Sequence, residues 1–325
     1  MPKAKFGLFI LPPDITVAQQ AAKQAEKDGF FSISHNDHFY SPLGSPESPQ
    51  LECFTVLTAM AAVTKTIRLA PAVAVPAFRE PALFTKIACS LDSASNGRFI
   101  CGLGAGWYDK EYLAHGYAFP PLEERLDRLN EYLSVYKTMC TEDAPAYEGR
   151  YYKVTNAFNN PRPVQKPFPP IMLGGSATGL LKIAAQHADI INMIPPTSNG
   201  KDFVNDPQAT VRYTMDKLKS RITELKDLCE AEGRARDAIE LGGLCLVGLS
   251  EDSNDSALRD MASGLGFPDY SAAQASPVAL LGTPAEVKEE LAARVAQTGV
   301  VYYIVVTPDE RSYRLFVEEV MPAFS

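Results

Sequence analysis

The chain has 325 residues, 46% hydrophobic and 22% charged, with a formal net charge of -8. That composition suits a globular fold with a large core and excludes a disordered chain. The acidic balance disfavours non-specific binding to nucleic acid or to anionic membrane surfaces, and no segment approaches the apolar length that spans a bilayer.

Strand-like and helix-like segments alternate from the start. Residues 5–10 are apolar and β-capable, and Pro12 and Pro13 end the run. Residues 16–28 have helical periodicity, with Thr16 expected as N-cap and Gly29 as the stop. A second strand is expected at 30–34, a second helix at 51–64 and a third strand at 67–75. Residues 81–95 form a helix with Pro81 near its start. The fourth strand is 98–103, and 122–140 is a long helix rich in Glu, Arg and Leu. The pattern then breaks. Residues 144–170 hold Tyr147, Tyr151 and Tyr152 and read as a hairpin followed by an extended, polyproline-like lead-in. A strand at 170–173, a helix at 179–187 and a strand at 188–194 follow. After a polar loop to about 207 comes a long charged helix to roughly 232. The seventh strand is 239–249, and 263–277 reads as an insertion rich in small residues. A helix at 284–297, an eighth strand at 300–306 and a final helix to about 320 complete the chain.

Eight strands, each followed by a helix, predict one (β/α)8 TIM barrel with insertions over residues 1–325. The competing open, doubly wound sheet needs a glycine-rich turn after its first strand, and Leu11, Pro12, Pro13 and Asp14 stand there instead. The six cysteines form no CxxC pair and lie mostly in apolar runs. They read as buried free thiols of a cytoplasmic protein, and no secretory signal is evident.

In such a barrel the chemistry sits where the strands end at their C-terminal side. After strand two come His35, Asn36, Asp37 and His38. A histidine beside an aspartate there suits proton transfer near neutral pH, or a structural hydrogen bond. No histidine–cysteine spacing points to a metal. After strand four, Gly104, Ala105 and Gly106 lead into Trp107, the single tryptophan. Glycines allow close backbone approach to a ligand, and the indole offers a flat face. After the fifth barrel strand, the turn from Gly174 to Gly179 precedes a helix and suits phosphate. The tyrosine-rich hairpin either caps a pocket or packs outside the barrel.

Several motifs occur in order: Asp37-His38-Phe39; Phe78-Arg79-Glu80-Pro81-Ala82; the run from Leu91 to Phe99; the glycine turn ending in Trp107 with Glu111-Tyr112; Tyr147 to Tyr152; Pro161 to Gly175; and Leu281 to Val287. Together they resemble the luciferase-like monooxygenase superfamily, and within it the coenzyme F420-dependent-type oxidoreductases. The resemblance spans nearly the whole chain. It implies a flavin or deazaflavin over the strand mouths, its ring against a bulge at Ala72 and Val73 that often contains a non-prolyl cis peptide. It places the cofactor phosphate on Gly175, Ser176 and Ala177, with further contacts at Asp37, Ala105 and Gly106. It makes His38 the proton donor or acceptor, with Asp37 beside it and Trp107 walling the ring or substrate. Related sugar-phosphate dehydrogenases carry a glutamate where this chain has Trp107, so their substrate is not expected. The implied activity is hydride transfer between F420 and a small organic substrate. The alternatives are an FMN-dependent monooxygenase and a flavin-binding protein without turnover. The expected partner is a small organic molecule, and a homodimer is the assembly considered.

Overall fold

The computed structural model describes residues 1–42, 45–196 and 207–325. Its elements run β1 (Lys5–Phe9), α1 (Ile15–Lys27), β2 (Ser32–His35), α2 (Cys53–Ala61), β3 (Arg68–Pro71), α3 (Pro81–Ala94) and β4 (Cys101–Leu103). Then come α4 (Asp109–Ala114), α5 (Leu122–Thr141), the short hairpin β5 (Tyr147–Glu148) and β6 (Lys153–Val154), β7 (Ile171–Gly174), α6 (Thr178–His187) and β8 (Ile190–Met193). The chain continues through α7 (Pro207–Arg212), α8 (Met215–Ala231), β9 (Glu240–Leu249), α9 (Ser256–Gly264), α10 (Tyr270–Gln274), β10 (Ala279–Gly282), α11 (Pro284–Thr298), β11 (Tyr302–Val306) and α12 (Glu310–Leu315).

The parallel strands lie in the order β3-β2-β1-β11-β9-β8-β7-β4. Bridges from Leu69 to Phe99 and from Ala74 to Leu103 join the two ends. The result is the expected eight-stranded barrel, a fold that places its working end at the C-terminal side of the strands. One strand was not anticipated. β10 pairs with the C-terminal half of β9; α10 lies in the small-residue insertion before it, and α9 runs up to that insertion.

The barrel interior is plugged by Ala70, Ile100, Met172, Ile190, Tyr302 and Ile304. Within it the Tyr302 hydroxyl lies 2.6 Å from Ser32 Oγ. Gly7 makes room for that pair, because a Cβ there would stand 2.3 Å from Ser32 Oγ. The larger core lies between strands and helices. All six cysteines are buried and free.

Local chemistry explains the helix ends. α1 is capped by Asp14, whose carboxylate accepts from Val17 N at 2.9 Å, so Thr16 is not the cap. Extended backbone at Asp14 lets its side chain reach back to the first free amides. Gly29 takes φ +87 just past the helix, as a stop requires.

Much of the run from Leu91 to Phe99 is bracing. Buried Arg98 donates to the carbonyls of Ala61, Thr64, Ile67 and Ser95. Buried Asp92 accepts from Gln165 N at 3.0 Å and Gln165 Nε2 at 2.7 Å, sealing the lead-in segment onto the barrel. That segment is built of bends rather than a continuous polyproline helix, and its Asn160–Pro161 and Lys166–Pro167 bonds are cis. Among the described residues no helix is long and apolar enough to cross a membrane.

Candidate active site at the barrel mouth

Beyond β3 the backbone passes through Ala72 and Val73, whose peptide bond is cis. This bulge is stitched to both neighbours. Ala72 N donates to His35 O at 2.9 Å, Ala74 N to Gly102 O at 3.0 Å, and Gly104 N to Ala74 O at 3.1 Å. Glycines surround it for a steric reason. A Cβ on Gly102 would stand 2.0 Å from Pro71 O, and one on Gly104 would stand 2.7 Å from Val73 Cγ2. The bulge thus forms a small, smooth ledge across the mouth.

Two buried polar atoms lie on barrel strands β2 and β8. Ser34 Oγ and Asn192 Oδ1 have no hydrogen-bond partner among the described residues. Side chains alternate along strands, so Ser34 follows inward-facing Ser32, and Asn192 follows inward-facing Ile190. Buried polar atoms are normally paired, so each of these two has capacity left for a further partner.

Asp37 is committed within the protein. Its Oδ2 accepts from Val75 N at 2.9 Å and from Arg79 NH1 at 2.8 Å, and its Oδ1 accepts from Arg79 NH2 at 3.0 Å. Arg79 also bonds Glu52 at 2.6 Å and lies over the Phe54 ring. Burial works against the Arg79 charge, but the two carboxylates more than offset it and hold its pKa above the ordinary guanidinium value. Asp37 therefore braces the segment after the ledge, and the pairing with Arg79 was not anticipated from sequence.

His38 lies next to this brace. Its Nδ1 is 2.8 Å from Glu111 Oε2, and Glu111 is 1% exposed. Trp107 meets the His38 ring edge-on at 5.4 Å, and Tyr108 stacks on Trp107 at 5.0 Å. Burial and a hydrogen bond to Tyr108 push the Tyr40 hydroxyl well above its ordinary pKa. The wall beside His38 is thus aromatic. Arg125 supports it from behind, donating to the carbonyls of Ala105 and Gly106 and lying 4.2 Å from the Phe119 ring. Sequence reading singled out neither Arg125 nor the role of Glu111.

The turn from Gly174 to Ala177 enters α6. Gly175 has φ +141, and a Cβ there would stand 2.3 Å from Leu180 Cδ2. The amides of Ala177, Thr178 and Gly179 have no partner among the described residues. Ser176 Oγ is turned inward, donating to Ile194 O at 2.6 Å, so the loop offers backbone amides rather than that hydroxyl. Arg221 reaches the same helix end, 3.2 Å from Thr178 Oγ1.

Other candidates resolve as structure. His35 is buried, with Nδ1 2.9 Å from Ile10 O, and serves to pin the loops after β1 and β2. The tyrosine hairpin packs outside the barrel, its turn amides at Arg150, Tyr151 and Tyr152 all bound to Glu131 of α5. The polar loop expected at 195–207 lies largely outside the described residues. No group of residues among those described forms a metal site.

The model of the luciferase-like monooxygenase family matches residues 5–211. An uncharacterized protein of Mycobacterium tuberculosis is 33% identical over 190 residues, 53% of this chain and 66% of that one, so this chain spans just under two thirds of that relative. The FMNH2-dependent dimethylsulfone monooxygenase of Pseudomonas putida is 25% identical over 86% of this chain and 69% of its own length. The F420-dependent glucose-6-phosphate dehydrogenase of Kineococcus radiotolerans is 28% identical over 67% of this chain and 60% of its own. Among solved structures, an F420-dependent secondary alcohol dehydrogenase superposes with a TM-score of 0.80 at 19% identity, covering 99% of both chains. The F420-dependent tetrahydromethanopterin reductase of Methanopyrus kandleri gives 0.78 at 20%, covering 99% of this chain and all of that one. At those identities the structures speak to the fold.

Proposed function

The chain belongs to the luciferase-like monooxygenase family, and from that premise we propose that it is an oxidoreductase moving a hydride between coenzyme F420 and a small organic substrate. The observation that carries this reading is a nearly buried imidazole, His38, standing beside a glycine-lined ledge. The two are tied together by the bond from Val75 N to Asp37.

The residues present fit a flat, polar, phosphate-bearing cofactor. The ledge at Ala72 and Val73 suits one face of a tricyclic ring. Unpaired Ser34 Oγ and Asn192 Oδ1 suit polar atoms along its edge, and the amides at the start of α6 suit the phosphate. When bound, such a cofactor supplies the hydride donor or acceptor. The protein does the rest. Trp107 and Tyr108 keep water from one side of the reacting centre. His38 holds or takes the accompanying proton. Arg125 and Tyr112 fix the glycine turn that presents the indole.

A second reading, an FMN-dependent monooxygenase, is favoured by one finding: the FMNH2-dependent relative aligns with the larger share of this chain, 86% against 67%. Titration with F420 and FMN, each in both redox states, tests the choice through the emission of the single tryptophan. Aromatic rings pair at centroid separations of about 4.5–7 Å, where quenching is strong. Saturable quenching by F420 at lower concentration than by FMN is expected, with inner-filter absorption corrected by free tryptophan. The reverse order establishes the second reading. In the loaded enzyme, His38→Asn is expected to lower kcat by about 10²–10⁴-fold with little loss of cofactor affinity. Unchanged kcat across a pH series would reduce His38 to a structural role.

A further inference from the structure

We propose that Glu111 is the positioning residue of this site: it decides which nitrogen of His38 carries the proton, and leaves Nε2 as the proton acceptor for an alcohol substrate. The inference rests on the reading of His38 as the proton-carrying group.

The two residues are 73 positions apart and meet only through the fold. Glu111 sits in α4, and the neighbouring Tyr112 anchors it. The Tyr112 ring lies under the glycine turn so closely that a Cβ on Gly106 would stand 1.9 Å from its hydroxyl. This packing aims the Glu111 carboxylate inward, at the segment after β2. There Oε1 accepts from Phe39 N at 2.5 Å, while Oε2 is 2.8 Å from His38 Nδ1.

The consequence follows from donor and acceptor counting. A backbone N–H only donates, and an ionised carboxylate only accepts. Phe39 N therefore occupies Oε1, and Nδ1 must carry a hydrogen to satisfy Oε2. In the neutral ring the other nitrogen then holds the lone pair. Nε2 has no hydrogen-bond partner among the described residues, and the His38 side chain is 10% exposed. The Asp37 carboxylate does not compete, since it is turned to Arg79 and Val75.

A lone pair at Nε2 selects a substrate that arrives with a proton to give. With a secondary or primary alcohol, a bound oxidised cofactor would supply the acceptor for the carbon-bound hydrogen and its electron pair. The hydroxyl proton passes to Nε2, and the oxygen is left as a carbonyl. In the reverse direction the imidazolium returns that proton to the carbonyl oxygen as hydride arrives. The Glu111 carboxylate stabilises the imidazolium in either direction.

The arrangement makes Glu111→Gln an informative change. Glutamine has one acceptor oxygen for two donors. Phe39 N cannot change its role, so it keeps the oxygen, and the new amide NH2 faces His38. The ring must then accept at Nδ1 and carry its proton on Nε2, the wrong nitrogen for taking a hydroxyl proton.

Nitrogen-15 NMR of the full chain labelled at histidine reads this directly, without cofactor or turnover. There are four histidines, and His38→Asn assigns the signal. Above neutral pH, wild-type His38 is expected to show a protonated Nδ1 and an unprotonated Nε2, and Glu111→Gln the reverse. With a secondary alcohol as substrate, Glu111→Gln is expected to lower kcat by about 10²-fold or more with little change in KM. Glu111→Asp, which keeps two acceptor oxygens, should retain the wild-type tautomer and a larger share of kcat. A wild-type His38 protonated at Nε2 overturns the proposal, as does a Glu111→Gln protein with unchanged tautomer and kcat. If Glu111→Gln does not fold, the wild-type tautomer alone decides. The spectrum is independent of F420 and FMN, so a change of cofactor would not alter which nitrogen it finds protonated.

Discussion

Asp37→Asn separates two roles for the same residue, the cofactor contact implied by family resemblance and the brace seen in the fold. Asparagine keeps one carbonyl oxygen, enough for Val75 N, but presents an NH2 toward Arg79. Two charge-assisted bonds of 2.8 and 3.0 Å are lost or inverted. Bonds to a charged group contribute about 1.5–3 kcal/mol each, and removing one partner of a buried ion pair costs about 3–5 kcal/mol. Arg79 retains Glu52, which is half-exposed and compensates only in part. The net expectation is a loss of about 2–4 kcal/mol. With unfolding entropy near 2.1 cal/mol/K per residue, a 325-residue chain has about 0.7 kcal/mol/K, so the melting temperature should fall by about 3–6 °C. Scanning calorimetry measures this, and F420 and FMN titrations on the same protein measure affinity. A lower melting temperature with near-normal cofactor affinity supports the brace. An unchanged melting temperature with lost affinity would refute it and make Asp37 a direct cofactor contact.

Two further expectations concern stability and the tryptophan turn. Burial, with Lys137 and Arg234 nearby, lowers the His187 pKa from 6.5 to about 4, so the folded state holds it neutral. That contribution is complete above pH 6.5 and is lost as pH falls toward 4. Chemical denaturation should therefore show about 2–3 kcal/mol less stability from this residue at pH 4.5 than at pH 7. His187→Gln should flatten that part of the profile, and an unaltered slope would place the titration elsewhere. Gly106→Ala puts a side chain at φ +75 with its Cβ 1.9 Å from buried Tyr112 Oη. Left-handed backbone and overpacking together should cost about 2–4 kcal/mol and blunt Trp107 quenching by the cofactor. Wild-type melting and quenching would show that the turn adapts freely.

The alternation of apolar strands with amphipathic helices is local information, repeated eight times, and it sufficed to place the barrel strands and their C-terminal mouths. The lengths of the apolar runs left no segment long enough for a membrane-crossing helix, and the motifs carried the resemblance that located the ledge at Ala72 and Val73. The same local reading misjudged the α1 cap, because Asp14 and Thr16 are both good caps and only the backbone path chooses between them. It left the tyrosine hairpin open, since an aromatic cluster looks alike whether it lines a pocket or packs against Glu131. It passed over β10, whose four apolar residues gain strand character only from pairing with β9. The chemical details needed the fold. His38 and Glu111, and Asp37 and Arg79, become neighbours only when segments far apart in sequence close around one axis. No periodicity encodes such pairs. Hydrogen-bond partnership depends on a few tenths of an ångström between atoms, whereas sequence patterns register burial and secondary structure one turn or one strand at a time.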